Sequence, residues 1–156
     1  SDKAALSSDL DRLKGFKPLA AGMAIKTLVL DTNIVLDLLV FQDPRADWIR
    51  DGIARRQFEL IYSSEMLLEL ADVIARPQFA QNSNDQSTLL SSWTQMAIHK
   101  PTPPRCSFRC DDPDDQAFID LAYHYRPSQL LSKDRKVLQM QRALGEHGVW
   151  VQSYPD

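Results

Sequence analysis

Short aliphatic segments alternate with longer amphipathic segments through most of this chain, and this alternation limits the fold more than any other feature. Residues 27–30 form an unbroken aliphatic and β-branched run that suits a strand buried on both faces. Ile34, Val35, Leu38 and Leu39 follow it at helical spacing. Strands that alternate with helices pair in parallel, because each helix returns the chain to the same edge of the sheet. The sequence therefore predicts an α/β fold of three layers, α/β/α, in which helices cover a central parallel sheet.

The same patterns predict the remaining elements and the domain organisation. We expect further strands over residues 58–62, 130–131 and 149–151, and further helices over residues 44–54, 64–75, 86–98, 115–125 and 135–144. Residues 1–22 are expected to be an N-terminal appendage, since Leu6, Leu10 and Leu13 have the spacing of a short amphipathic helix. The main domain then covers residues 23–156.

Composition and charge exclude several classes of protein. With 44% hydrophobic and 25% charged residues, the 156-residue chain has the balance of one globular domain. No apolar run is long enough to span a bilayer and no signal peptide is visible, so we expect a cytoplasmic protein without membrane contact. The net charge of −3 alone argues against a nucleic-acid partner, but basic residues can line the rim of an acidic site. Cys106 and Cys110 are expected to be reduced thiols, with a disulfide or a metal site as open alternatives.

Acidic residues lie where predicted strands end and where predicted helices begin. Asp31 directly follows the first strand, and Asp134 comes three residues after the strand that ends at residue 131. Ligands of parallel sheets bind outside the carboxyl ends of the strands, so these two acids are expected in one crevice. A further acidic run at residues 112–115 opens a helix whose N-terminus could face the same crevice, and Glu69 lies inside the helix over 64–75.

Each acid alone has a simpler structural explanation. Asp31, Asp112 and Asp134 precede predicted helices, where Asp is a favoured N-cap that contributes about 1 kcal/mol. Glu69 alone is typical of a solvated surface. Together, however, carboxylates in one crevice raise one another's pKa unless a cation offsets their charge. Oxygen ligands favour Mg²⁺ or Mn²⁺, and such a centre suits the hydrolysis of phosphodiesters.

Four segments, taken in order, resemble the PIN domain, a small nuclease fold found in many prokaryotic toxin–antitoxin pairs. They are LVLDTNIVLDLL (28–39), SSEMLLELADVIARPQF (63–79), CDDPDDQAFIDLA (110–122) and LLSKDRKVL (130–138). Their order and spacing agree with the family across residues 25–152. The arginine-proline pair after the Glu69 helix and the DPDD run resemble a subgroup described as toxin components.

The resemblance implies roles for nine residues. The catalytic acids would be Asp31, Glu69, Asp115 and Asp134. The metal ligands would be Asp31, Glu69, Asp112, Asp115 and Asp134. Positions that support the site or contact the substrate would be Asn33, Asp114, Ser132 and Lys133. The resemblance does not rank Asp112 and Asp114 securely against Asp115. Lys133 departs from the small residue often found between the hydroxyl and the acid, so it could contact phosphate or be solvated.

The activity implied by the resemblance is that of an endoribonuclease that uses Mg²⁺ or Mn²⁺. Water would attack the phosphorus in line and leave a 5′-phosphate and a 3′-hydroxyl. The implied partners are an RNA substrate, an antitoxin protein and a second copy of the chain. A PIN-like module that binds RNA or protein without cutting is the alternative, and DNA as the substrate is not excluded. A phosphatase of the haloacid dehalogenase type would need a second Asp at position 33, where this chain has Asn33.

Overall fold

A five-stranded parallel sheet forms the centre of the computed structural model, which describes residues 25–79 and 83–154. The strands are β1 (Thr27–Leu30), β2 (Glu59–Tyr62), β3 (Ala97–His99), β4 (Ser128–Leu131) and β5 (Val149–Gln152). Their order across the sheet is β3-β2-β1-β4-β5, and every neighbouring pair is parallel. The predicted α/β fold with a central parallel sheet is confirmed.

Seven α-helices connect and cover the strands in the described part of the chain. They are α1 (Thr32–Leu39), α2 (Asp47–Ala54), α3 (Ser64–Ile74), α4 (Ser83–Met96), α5 (Gln116–His124), α6 (Arg135–Leu138) and α7 (Gln141–Gly145). Single 3₁₀ turns at Pro44–Ala46 and Pro113–Asp115 lead into α2 and α5. Proline suits these entries, because its missing N–H would be unpaired at a helix start anyway. None of the described helices has the length and apolarity that a membrane crossing needs.

The two strands at the centre of the sheet are buried along nearly their whole length. Val29 and Leu30 in β1 and Leu130 and Leu131 in β4 are each 0% exposed. A strand that is covered on both faces favours apolar side chains, which explains the aliphatic run of β1. In β4 the buried Ser128 and Gln129 are satisfied by donating to the carbonyls of Ala122 and Ile25. Trp93 of α4 is also part of this core.

The strand order places a crevice at the carboxyl ends of β1 and β4. The chain moves from β1 to β2 and β3 on one side, and then crosses back to β4 on the other side of β1. Neighbouring strands whose connections leave in opposite directions open a crevice between their carboxyl ends. Leu30 is in register with Leu131, and the Asp31 N–H donates to the Leu131 carbonyl at 3.1 Å. Asp31 therefore lies beside the first residues after β4.

Two element predictions were wrong. The helix predicted over residues 86–98 ends at Met96, and Ala97 begins β3, in register with Leu60 of β2. No turn residue separates α4 from this strand of three residues, so only its pairing with β2 defines it. The helix predicted over 135–144 is broken into α6 and α7 without Pro or Gly at the break. The Gln141 side chain donates to the Val151 carbonyl at 2.8 Å, a contact that ties the start of α7 to β5. The N-terminal helix predicted near Leu6 lies outside the described residues.

Candidate metal centre

Asp31 is a buried carboxylate between β1 and α1, and both of its oxygens accept hydrogen bonds. Oδ1 caps α1 by accepting from the Ile34 N–H at 3.0 Å, and Oδ2 accepts from the Ser132 hydroxyl. Burial raises the pKa of Asp31, whereas these two bonds and the backbone N–H and charge of Lys133 lower it. Asp31 can therefore cap α1 and also belong to the site, because Oδ1 caps the helix while Oδ2 bonds to Ser132.

Ser132 joins two of the predicted acids. It is fully buried at the end of β4, where its Oγ donates to Asp31 and accepts from the Asp134 N–H at 3.0 Å. Asp134 in turn caps α6, since its Oδ1 accepts from the Lys136 N–H at 2.8 Å. One hydroxyl therefore sets the separation of the residues that follow β1 and β4.

Asp134 also belongs to a cluster of three carboxylates. One oxygen each of Asp112, Asp115 and Asp134 lies within 4.8 Å of the other two. Asp112 caps the 3₁₀ turn by accepting from the Asp114 N–H at 3.0 Å, and Asp115 ends that turn. Oxygen ligands at such separations match the way hard divalent cations are held in proteins.

Asp115 is the most confined member of these three. Its residue is buried, and its Oδ2 has no hydrogen-bond partner among the described residues. Burial, followed by repulsion from Asp134, Asp112, Asp31 and Glu69, raises the pKa of Asp115 to about 7. A buried carboxylate oxygen without a donor is costly unless the group is protonated or meets a cation. The residues present therefore fit a divalent cation.

Glu69 reaches the same centre from α3. It is half-buried, and burial is the first cause that raises its pKa to about 7. Repulsion from Asp114 and Asp31 adds to this shift, whereas a hydrogen bond from Thr32 and the charge of Arg76 oppose it. Glu69 is not one of the three carboxylates within 4.8 Å, so its place is at the edge of the cluster in the described structure.

Asn33, Asp114 and Lys133 occupy different surroundings. Asn33 is exposed on the first turn of α1, and no hydrogen bond within the described residues joins it to the acids. Asp114 is exposed and lines a cleft of about 250 Å³ together with Glu69. The Lys133 ammonium is 2.6 Å from the buried Asp37 carboxylate, so this side chain is held in an ion pair and is not simply solvated.

A polar network that the sequence analysis missed holds the proline-rich segment against α5. Gln116 accepts from the Cys110 N–H at 2.8 Å and donates to the Phe108 carbonyl at 2.9 Å. Asp120 accepts from the Cys106 N–H at 3.0 Å and from Arg105 at 2.8 Å. Both polar residues lie on the buried face of a helix, which is the signal that could have revealed them. These hydrogen bonds fix the position of residues 106–110, the segment that leads into Asp112.

Cys106 and Cys110 are free thiols in this network. Burial raises the pKa of both, so they are kept as neutral thiols in the folded chain. This agrees with the expectation of reduced cysteines.

Comparisons with known proteins agree with this geometry. No curated protein sequence matches the chain. Its fold is similar to that of a chain in the crystal structure of VapBC2 from Rickettsia felis bound to a DNA fragment from their promoter, with a TM-score of 0.63 and 12% identity. That match covers 82% of this chain and 98% of the other. The sequence pattern of the PIN domain matches residues 27–136, which include all nine residues that the resemblance singled out. The chain belongs to the PIN domain family.

Proposed function

We propose that this protein is a metal-dependent endoribonuclease that hydrolyses RNA phosphodiester bonds. The observation that carries the proposal is the unpartnered, buried Oδ2 of Asp115 beside the carboxylates of Asp112 and Asp134. A cation would satisfy that oxygen and remove the repulsion that raises the pKa of Asp115. Asp112, Asp115 and Asp134 would hold the ion, and Asp31 and Glu69, whose charges raise the pKa of Asp115, would act on the same centre.

The chain's own residues divide the remaining work. When bound, Mg²⁺ or Mn²⁺ supplies Lewis acidity toward phosphate oxygens and water. Burial raises the pKa of Glu69 to about 7, and we assign its carboxylate, at the edge of the cluster, to accept a proton from water. Asp31 is held by Ile34 and Ser132, which fix the position of its carboxylate beside the cluster.

An aspartyl-phosphate mechanism fits this site poorly. A nucleophilic carboxylate needs an oxygen that is free to attack phosphorus. Both oxygens of Asp31 accept hydrogen bonds, and the residue is 2% exposed. Asn33, at the position of the acid/base in such enzymes, is exposed and cannot transfer a proton. Hydrolysis by water is the better account.

We further propose that the protein acts in the cytoplasm as the toxin of a toxin–antitoxin pair. Membership of the PIN family and the likeness to a chain of the VapBC2 structure support a protein partner. The free, neutral thiols suit a reducing compartment. Induced expression should stop growth of a host cell, and an Asp31→Asn variant made at the same level should not.

The first test is cleavage of a 5′-labelled, mixed-sequence RNA with Mn²⁺ or Mg²⁺, beside reactions that contain EDTA. Cleavage should need the metal and should be lost in Asp31→Asn and Asp115→Asn variants. Asp51→Asn is the matched control, since Asp51 is an exposed acid on α2. The same sequence as single-stranded DNA separates a ribonuclease from a general nuclease.

The outcomes of this test separate the candidate functions. Cleavage that the Asp31 and Asp115 variants retain would show that the activity comes from elsewhere or from a contaminant. If the protein binds RNA but neither cleaves it nor binds Mn²⁺, the result would favour a non-catalytic module. Analysis of the ends, with a 5′-phosphate and a 3′-hydroxyl expected, then tests attack by water.

A further inference from the structure

Lys133 lies between two residues of the metal centre, but its side chain is bound elsewhere. Its Nζ is 2.6 Å from Oδ2 of Asp37, on α1. The side chain of Asp37 is 7% exposed, whereas that of Lys133 is 34% exposed. A buried carboxylate of this kind is costly without a partner, so the ion pair holds the lysine firmly.

Asp37 receives a second donor from the end of the described chain. The Tyr154 hydroxyl donates to the same Oδ2 at 2.6 Å. Burial and this contact with Asp37 raise the pKa of Tyr154, so it stays a neutral donor. The Arg45 guanidinium lies 4.7 Å from the centre of the Tyr154 ring. Asp37 thus joins α1, the residues after β4 and the residues after β5.

The residues on either side of Lys133 depend on this anchor. Ser132 donates to Asp31, and the Asp134 N–H donates back to the Ser132 hydroxyl. The Asp134 carboxylate is one of the three in the cluster. With Lys133 tied to Asp37, the segment between β4 and α6 is fixed to α1 at two points, through Ser132 and through the ion pair.

We propose that Lys133 is a positioning residue: its ion pair with Asp37 holds the segment 132–134 against α1 and so places the Asp134 carboxylate for metal binding. This role rests on the proposed function, since it concerns the same metal centre. A direct contact between Lys133 and the phosphate of the substrate is the alternative, and the KM for RNA distinguishes the two roles.

The two roles predict opposite effects on metal affinity. Removal of a positive charge near a cluster of carboxylates, taken alone, should strengthen cation binding. Loss of a residue that orients a ligand should weaken it, and residues that support metal ligands typically contribute about 10- to 100-fold in affinity. The sign of the change in Mn²⁺ affinity therefore separates positioning from simple electrostatics.

The experiment is titration calorimetry of the purified protein with MnCl₂, below the melting temperature of every variant. Lys133→Met should weaken Mn²⁺ binding by about tenfold or more. Lys133→Arg keeps the ion pair and should restore most of the affinity. Arg142→Met removes the same charge from an exposed side chain on α7 and should not weaken binding.

A charge-neutral double variant covers the case in which Lys133→Met does not fold. Asp37→Asn combined with Lys133→Met removes both members of the pair and leaves neither partner as an unpaired charge. It should bind Mn²⁺ no more weakly than either single variant, because all three lose the same contact.

Three results would overturn the proposal. Lys133→Met could bind Mn²⁺ as tightly as the wild type while the KM for RNA rises, which would make Lys133 a phosphate contact. The losses of Mn²⁺ affinity in Asp37→Asn and Lys133→Met could add up in the double variant, which would show that the two residues act independently. If the wild-type protein binds no Mn²⁺, the proposed function fails and this role fails with it.

Discussion

Replacement of Asp115 by Asn tests whether the carboxylate cluster is built for a cation. The substitution keeps the shape of the side chain and removes its ability to ionise. In the metal-free protein the pKa of Asp115 is raised from 3.8 to about 7 by burial and by its acidic neighbours. The native state therefore binds this proton more tightly than the unfolded chain does.

The sign of the pH dependence follows from that difference. The unfolded chain releases the proton near pH 3.8, whereas the native state holds it up to about pH 7. The free energy of unfolding must then decrease as the pH rises between these two values, and become level above them. A shift of about 3 units corresponds to ~4 kcal/mol at 1.36 kcal/mol per unit. Neighbouring acids titrate together, so we assign about half of it, ~2 kcal/mol, to Asp115.

The assay is urea denaturation in EDTA at pH 5 and at pH 8. Asp115→Asn should be more stable than the wild type by about 2 kcal/mol at pH 8, and by less at pH 5. Added Mn²⁺ should stabilise the wild type and not the variant, because a ligand of the native state alone favours folding. Asp51→Asn, an exposed acid, should change neither the stability nor the response to Mn²⁺.

Two results would refute this reasoning. An Asp115→Asn variant that is no more stable than the wild type at pH 8 would show that the carboxylate is not under strain. A variant that still gains stability from Mn²⁺ would show that the ion binds at another place.

Two further predictions concern the supports of the site and the core. Ser132→Ala should lower the free energy of unfolding by about 1–3 kcal/mol, because the buried Asp31 loses a donor. Urea denaturation measures this loss, and an unchanged denaturation midpoint would contradict the prediction. Gly52→Ala should destabilise by about 1–3 kcal/mol, since an added Cβ would lie 2.2 Å from the Phe58 ring. Gly145→Ala is its matched control: the new Cβ meets no atom within 4 Å, and thermal denaturation should show no loss of stability.

Local sequence was sufficient for the features that depend on a few neighbouring residues. The aliphatic run of β1, the capping role of Asp31 and the proline at the start of the turn that ends at Asp115 could all be read from the chain. Each depends on side-chain period or on contacts within three residues, which composition and spacing encode directly. The crevice at the ends of β1 and β4 also follows, because parallel strands place their following residues at one edge.

Tertiary structure decided which acids meet and what each one contacts. The sequence could not rank Asp112, Asp114 and Asp115, whereas burial separates the exposed Asp114 from the confined Asp115. The partner of Lys133 is Asp37, nearly a hundred residues earlier in the chain, and only the tertiary fold brings α1 and the segment after β4 together, so that the two charges are 2.6 Å apart. Such contacts depend on distances between elements that are set by the whole sheet, and no short stretch of sequence contains them.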